Sequence, residues 1–144
     1  MAGKLEILLL DDEPIVGKRL KPALDKIGCN VEVFEDPRQA LDRIHQKTFD
    51  IVVTDIRMEG IDGLEILEHV LRKSPRTKVI MITGYAMMAV AREAMEKGAY
   101  DFISKPFTPD DLRKVIAMAA QALGSPIDSE TADPEEPSEP AETR

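Results

Sequence analysis

Cysteine occurs once in the chain, at Cys29, so neither an internal disulfide nor a cysteine-based zinc site can form. Histidine occurs only twice, as His45 and His69 on separate predicted helices, where each is expected to be exposed and without a partner. With no cysteine pair and no close histidine pair, nothing points to zinc. Long apolar stretches are missing as well. The longest, Ile7-Leu8-Leu9-Leu10, ends against Asp11-Asp12, far too short to cross a membrane, and it lacks the basic lead and cleavage site of a signal peptide. Basic residues are in deficit: 19 Lys and Arg stand against 27 Asp and Glu, a net charge of −8. That balance argues against general nucleic-acid binding, which requires positive charge to neutralise phosphate. The expectation is a soluble, cytoplasmic protein that takes neither nucleic acid nor a membrane as partner.

What is present suits one domain. The chain has 144 residues, 43% of them hydrophobic, which is enough to build a core. The charge is unevenly spread: residues 124–144 hold seven acids against Arg144 alone, so −6 of the −8 lies there. The same segment holds four of the ten prolines and one large apolar residue, Ile127. It cannot bury enough apolar area to offset the entropy of ordering, and it is expected to be a disordered acidic tail following a domain of residues 1–123. Such a tail would be within reach of Arg92, Lys97, Arg113 and Lys114.

Residues 1–123 alternate strand-like and helix-like patterns. The run Leu5-Glu6-Ile7-Leu8-Leu9-Leu10 is too apolar for a half-exposed strand, and Pro14 then opens a helix carrying Val16, Leu20, Ala23, Leu24 and Ile27 up to Gly28. Val31-Glu32-Val33-Phe34 precedes an Asp36-Pro37 helix start, with Ala40, Leu41 and Ile44 as its stripe. Ile51-Val52-Val53 ends at Thr54-Asp55, and a loop with Gly60 and Gly63 leads to a helix faced by Leu64, Leu67 and Leu71. Val79-Ile80-Met81-Ile82 ends at Thr83-Gly84. A fourth helix over about 86–97 follows, with Met87, Val90, Ala91, Ala94 and Met95 toward the core. A fifth strand spans residues 100–104, and Thr108-Pro109-Asp110-Asp111 starts a last helix with Leu112, Val115, Ile116, Ala119 and Leu123 inward. Five strands alternating with five helices predict an α/β fold: a three-layer (βα)5 sandwich on a parallel sheet.

Ligand sites in open parallel sheets lie beyond the carboxyl ends of the strands. Those ends carry Asp11, Asp12 and Glu13 after the first, Asp55 after the third, Thr83 after the fourth and Lys105 after the fifth. Crowded carboxylates repel by several kcal/mol per pair, so they require positive charge or a held proton. Lys105 supplies one charge, and a divalent cation brings the sum with Asp11, Asp12 and Asp55 to zero. Mg2+ suits such an oxygen-rich set. A carboxylate beside a cation can also attack phosphorus, and Asp55 is placed to do so, with Lys105 and the Thr83 hydroxyl as donors to the phosphoryl oxygens. The plainer readings are helix caps for Asp11-Asp12, a strand residue for Thr83, and core packing for Phe102 and for Met87, Met88 and Met95.

Over essentially all of residues 4–123 the chain resembles the receiver domains of two-component response regulators, of the chemotaxis-regulator-like, stand-alone kind. The motifs are Asp11-Asp12-Glu13-Pro14, Asp55-Ile56-Arg57-Met58, Gly63-Leu64, Thr83-Gly84 and residues 98–107, Gly98-Ala99-Tyr100-Asp101-Phe102-Ile103-Ser104-Lys105-Pro106-Phe107. The resemblance implies a flavodoxin-like sheet in the order 2-1-3-4-5 and transfer of phosphate from a sensor histidine kinase to Asp55. It implies Mg2+ held by Asp11, Asp12, Asp55 and the Arg57 backbone carbonyl, phosphate contact by Thr83 and Lys105, and a switch of Thr83 with Phe102. Arg57 and Tyr85 would tune the phosphate lifetime. An unknown downstream protein would read the face of the fourth helix, fifth strand and fifth helix. Such a protein catalyses its own phosphorylation and dephosphorylation without being a turnover enzyme. A phosphorelay intermediate passing phosphate to a histidine phosphotransfer protein shares every site residue. A metal-dependent aspartyl phosphatase is disfavoured by Arg57, a poor proton donor where such enzymes need a general acid. One departure is Glu59, where many family members have proline.

Overall fold

The computed structural model describes residues 4–58, 60–84 and 88–124. Tyr85, Met87 and Glu59 therefore lie outside the described residues, as does the acidic tail beyond Gly124. The elements alternate strictly: β1 (Glu6–Leu10), α1 (Pro14–Lys26), β2 (Asn30–Phe34), α2 (Pro37–Gln46), β3 (Ile51–Asp55), α3 (Gly63–Lys73), β4 (Lys78–Thr83), α4 (Met88–Glu96), β5 (Asp101–Ser104) and α5 (Pro109–Leu123). All five strands pair in parallel in the order β2-β1-β3-β4-β5, the flavodoxin-like order. No helix among the described residues is long and apolar enough to cross a membrane.

Successive strand residues point to opposite faces, and the core divides accordingly. Leu8, Leu10, Val52 and Met81 pack with α2, α3 and α4 through Ala40, Ile44, Ile66, Leu67, Val70, Ala91 and Ala94. Ile7, Leu9, Val53, Ile80 and Ile82 pack on the other face with Leu20 and Leu24 of α1 and with Leu112, Ile116 and Ala119 of α5. Because both faces are covered, the central strands are continuous apolar runs, and Ile7 to Leu10 have no solvent exposure at all.

Helix starts follow local chemistry. The Asp36 side chain accepts from the Arg38 amide at 2.9 Å. Thr108 and Asp111 form a reciprocal capping box at 3.0 and 2.9 Å, a stronger start than the hydroxyl cap alone. The α3 cap is Asp62, whose carboxylate accepts from Glu65 N at 3.0 Å. In α4 the apolar stripe is narrower than the sequence spacing indicates: Ala91 and Ala94 are buried, whereas Met95 is 38% exposed. The two histidines also depart from expectation. Their rings meet edge to face with centroids 5.4 Å apart, linking α2 to α3, and His69 is half-buried.

Gly63 fixes where α3 sits against the end of β3. A Cβ there would lie 2.5 Å from the Asp55 carbonyl oxygen and 2.7 Å from the Ile56 Cα, both backbone atoms that cannot swing aside. Its own amide donates to the Ile56 carbonyl at 2.8 Å. Gly63→Ala is expected to lower stability by about 1–3 kcal/mol in urea denaturation, the usual range for overpacking. Gly84→Ala, with no atom of the described residues within 4 Å of its Cβ position, is the control and is expected to change stability by less than about 0.5 kcal/mol.

Candidate functional site

The site forms where β1, β3, β4 and β5 end. Past Leu10 the chain remains tied to the sheet, because the Asp11 amide donates to the Phe34 carbonyl at 3.1 Å. The Asp11 carboxylate turns back to accept from the Glu13 amide at 2.9 Å, which places Asp12 at an exposed bend. Asp55 ends β3. Its carbonyl accepts from the buried Thr54 hydroxyl at 3.0 Å, and its carboxylate accepts from the Arg57 backbone. Lys105 follows β5, anchored by its amide to the Thr83 carbonyl at 2.9 Å.

These anchors bring Asp11, Asp12 and Asp55 together, one carboxylate oxygen from each lying within 4.8 Å of the others. At that spacing two full charges repel by about 3.5 kcal/mol at an effective dielectric of about 20. Lys105 Nζ answers part of this. It lies 2.9 Å from Glu13, 3.1 Å from Asp11 and 3.4 Å from Asp55. The Asp55 carboxyl is nonetheless pushed up to about 6, first by burial and then by Asp11, with Lys105 and the Arg57 backbone pulling the other way. Burial likewise raises the Asp11 carboxyl, against its hydrogen bond from Glu13 and the nearby Lys105. Lys105 is held above its ordinary range because its partners Glu13, Asp11 and Asp55 together outweigh the opposing effect of burial.

The oxygens that remain suit a hard divalent cation. Asp11 Oδ2 is fully buried, and Lys105 Nζ forms an ion pair with it at 3.1 Å. A buried carboxylate oxygen beside two further carboxylates, with no nitrogen or sulfur ligand among them, fits Mg2+.

The other expected residues lie nearby in different states. Thr83 is fully buried at the end of β4, and its hydroxyl donates to the Gly84 carbonyl at 3.0 Å. Phe102 is half-buried and packs against the core beneath α2, α3 and α4. Since Met81 pairs with Phe102 and Thr83 with Ser104, strand alternation puts Thr83 and Phe102 on the same face as diagonal neighbours. Arg57 is exposed and meets Asp55 through its backbone. The residue that sequence reasoning left without a role is Glu13, the nearest carboxylate to Lys105; its signal was a third acid directly after Asp11-Asp12. A groove of about 470 Å³ also adjoins Lys105, lined by Ile15, Arg19, Pro106 and Phe107 among others. Ile15 is 58% exposed there.

The sequence profile of the response regulator receiver domain matches residues 7–117. The chain belongs to this family. The receiver is 38% identical over 130 residues to the C4-dicarboxylate transport transcriptional regulatory protein DctD of Pseudomonas aeruginosa, covering 90% of this chain and 28% of that protein. It is 35% identical to the transcriptional regulatory protein FixJ of Bradyrhizobium diazoefficiens, covering 83% of this chain and 58% of that one. The receiver thus spans between about a quarter and three fifths of the length of these relatives. Among solved structures it resembles a CheY-like receiver domain protein from Methanospirillum hungatei, with a TM-score of 0.80 and 29% identity over 85% of this chain and 98% of that one. The receiver domain of NtrX from Brucella abortus gives a TM-score of 0.74 and 33% identity over 80% of this chain and 98% of that one.

The raised Asp55 carboxyl has a consequence for stability. An unfolded aspartate ionises near pH 3.8, and the folded one near 6, so ionising Asp55 costs the folded state stability as pH rises through that window. In metal-free solution Asp55→Asn is expected to match the wild type below about pH 4 and to exceed it above pH 6. The gain should be up to about 3 kcal/mol at ~1.4 kcal/mol per pKa unit, read from thermal or urea melts. Adding excess Mg2+ should raise the wild-type midpoint more than that of Asp55→Asn.

Proposed function

We propose that this receiver is a phosphorylation switch in the cytoplasm, taking a phosphoryl group from a sensor histidine kinase onto Asp55 and changing its binding surface as a result. The observation that carries this reading is the Asp55 carboxylate, held at a strand end against Lys105 at 3.4 Å and beside Asp11 and Asp12. In the transfer a carboxylate oxygen of Asp55 bonds to phosphorus while the phosphorus–nitrogen bond of the donor histidine breaks. The electron pair stays on the imidazole nitrogen, which takes up a proton, and an acyl phosphate remains on Asp55.

Each residue then has a part. Asp11, Asp12, Asp55 and the Arg57 carbonyl would hold Mg2+, which when bound neutralises charge on the phosphoryl oxygens. Lys105 donates to one of those oxygens, and Thr83 gives up its bond to Gly84 to donate to another. Rotation of Thr83 opens space for Phe102 on the same sheet face, carrying the change toward α4, β5 and α5. Arg57, exposed beside Asp55, would tune the lifetime of the acyl phosphate, and Tyr85 is assigned the same part from its place in the sequence alone. On that output face Lys97 lies 3.7 Å from Glu68, and Arg113 and Lys114 both pair with Asp110, so those charges already have partners within the domain. The donor kinase has to bring its histidine to bonding distance of Asp55, and the groove at Ile15, which shares Lys105 with the site, would offer it an apolar surface.

Incubation with Mg2+ and acetyl phosphate is expected to add one phosphoryl group by intact mass. The gain should vanish when Mg2+ is chelated and in Asp55→Asn. An equal gain in Asp55→Asn would overturn the assignment.

A further inference from the structure

Lys105 has three acceptors in view, and they differ sharply in what their release would cost. Its hydrogen bonds go to Glu13 Oε1 at 2.9 Å and Asp55 Oδ2 at 3.4 Å, with the ion-pair contact to Asp11 Oδ2 at 3.1 Å. The Asp11 side chain is 1% exposed and that of Asp55 11%, whereas Glu13 is 59% exposed. Losing Lys105 would strand Asp11 or Asp55 as a buried unpaired charge, a strongly unfavourable state. Glu13 would merely be solvated by water. Glu13 is also the N-cap of α1, yet its side chain makes no capping hydrogen bond. An acid at the cap position ordinarily answers the free amides of the first turn. Here its carboxylate reaches across to the β5–α5 connection instead, 92 residues away in sequence.

We propose that Glu13 is a displaceable counter-ion for Lys105, a positioning residue that holds the ammonium toward α1 until a phosphoryl group on Asp55 claims it. The inference rests on Asp55 being the acceptor. In the unmodified domain Glu13 has the shortest contact and competes with Asp55 for the lysine. Once Asp55 bears a phosphoryl group, its added negative oxygens draw Lys105 across. Glu13 is the partner released, and with it goes this ion pair between the N-cap of α1 and the loop after β5. The released carboxylate and Lys105 both line the groove that holds Ile15 and Phe107, so occupancy of Asp55 changes the charge arrangement on that surface.

The test times phosphoryl gain by intact mass, with acetyl phosphate and Mg2+, in the wild type, Glu13→Gln, Lys105→Ala and the double variant. Circular dichroism melts check that each is folded. Glu13→Gln is expected to label about threefold faster than the wild type, within the range an exposed ion pair can supply. The acceleration should be absent in the Lys105→Ala background. Glu13→Asp, which keeps the charge on a shorter arm, should fall between Glu13→Gln and the wild type. Where Lys105→Ala labels too slowly to time, Mg2+-dependent beryllofluoride affinity in the same four proteins gives the same comparison. Equal rates for wild type and Glu13→Gln overturn the proposal. So does the same acceleration in both backgrounds, which would mark a general effect of removing negative charge. A wild type that gains no phosphoryl mass defeats the Asp55 reading itself, a result distinct from a wild type that labels as fast as Glu13→Gln.

Discussion

Three carboxylates and one ammonium share the carboxyl end of the sheet, and their mutual repulsion is the constraint around which the domain is arranged. Asp11 and Asp55 are nearly buried, and neither would be placed so in a domain selected for stability alone. Their carboxyls are raised by burial, so the unmodified site stores unfavourable electrostatic energy that added positive charge relieves. Lys105 offsets only part of it, because one ammonium is divided among three partners. Added or removed charge is felt strongly in such an arrangement, the property that the proposed switch requires.

The scaffold makes that crowding possible. Asp11 hydrogen-bonds across to β2, the Ile56 amide continues the ladder to Ile82, and Lys105 is anchored to Thr83. The backbone at Asp11, Asp55 and Lys105 is thus held by bonds that extend the sheet one step beyond its strands, so repulsion cannot separate these three backbone positions without breaking the sheet edge. The apolar strands behind them, covered on both faces by helices, give that edge its rigidity. Gly63 contributes by letting α3 lie directly against the Asp55 backbone. The same arrangement leaves Glu13, Asp12 and Ile15 of α1 exposed.

Much of this was legible in the chain itself. The alternation of apolar runs with helical stripes led to the five-stranded parallel sheet, because fully buried strands and one-sided helices have different periods. Asp11, Asp12, Asp55, Thr83 and Lys105 could be grouped because each follows a strand, and parallel strands end on one side. The less legible features depend on distances between elements. The His45–His69 contact requires the angle between α2 and α3, and the exposure of Met95 depends on how far α4 lies over the sheet. Helical spacing gives a direction for a side chain and not the depth of what covers it.

The sequence by itself determined the order of the elements, the two-faced core and the identity of the charges at the strand ends, since these follow from side-chain chemistry and period. Only the tertiary structure decided how the charges divide one lysine among them. Asp11 and Glu13 are two residues apart in the chain, yet one is sealed against the sheet and the other stands in water. On the proposal made above, that difference selects Glu13 as the contact that yields when the charge on Asp55 changes. It arises from burial, a property of the packed molecule rather than of either residue.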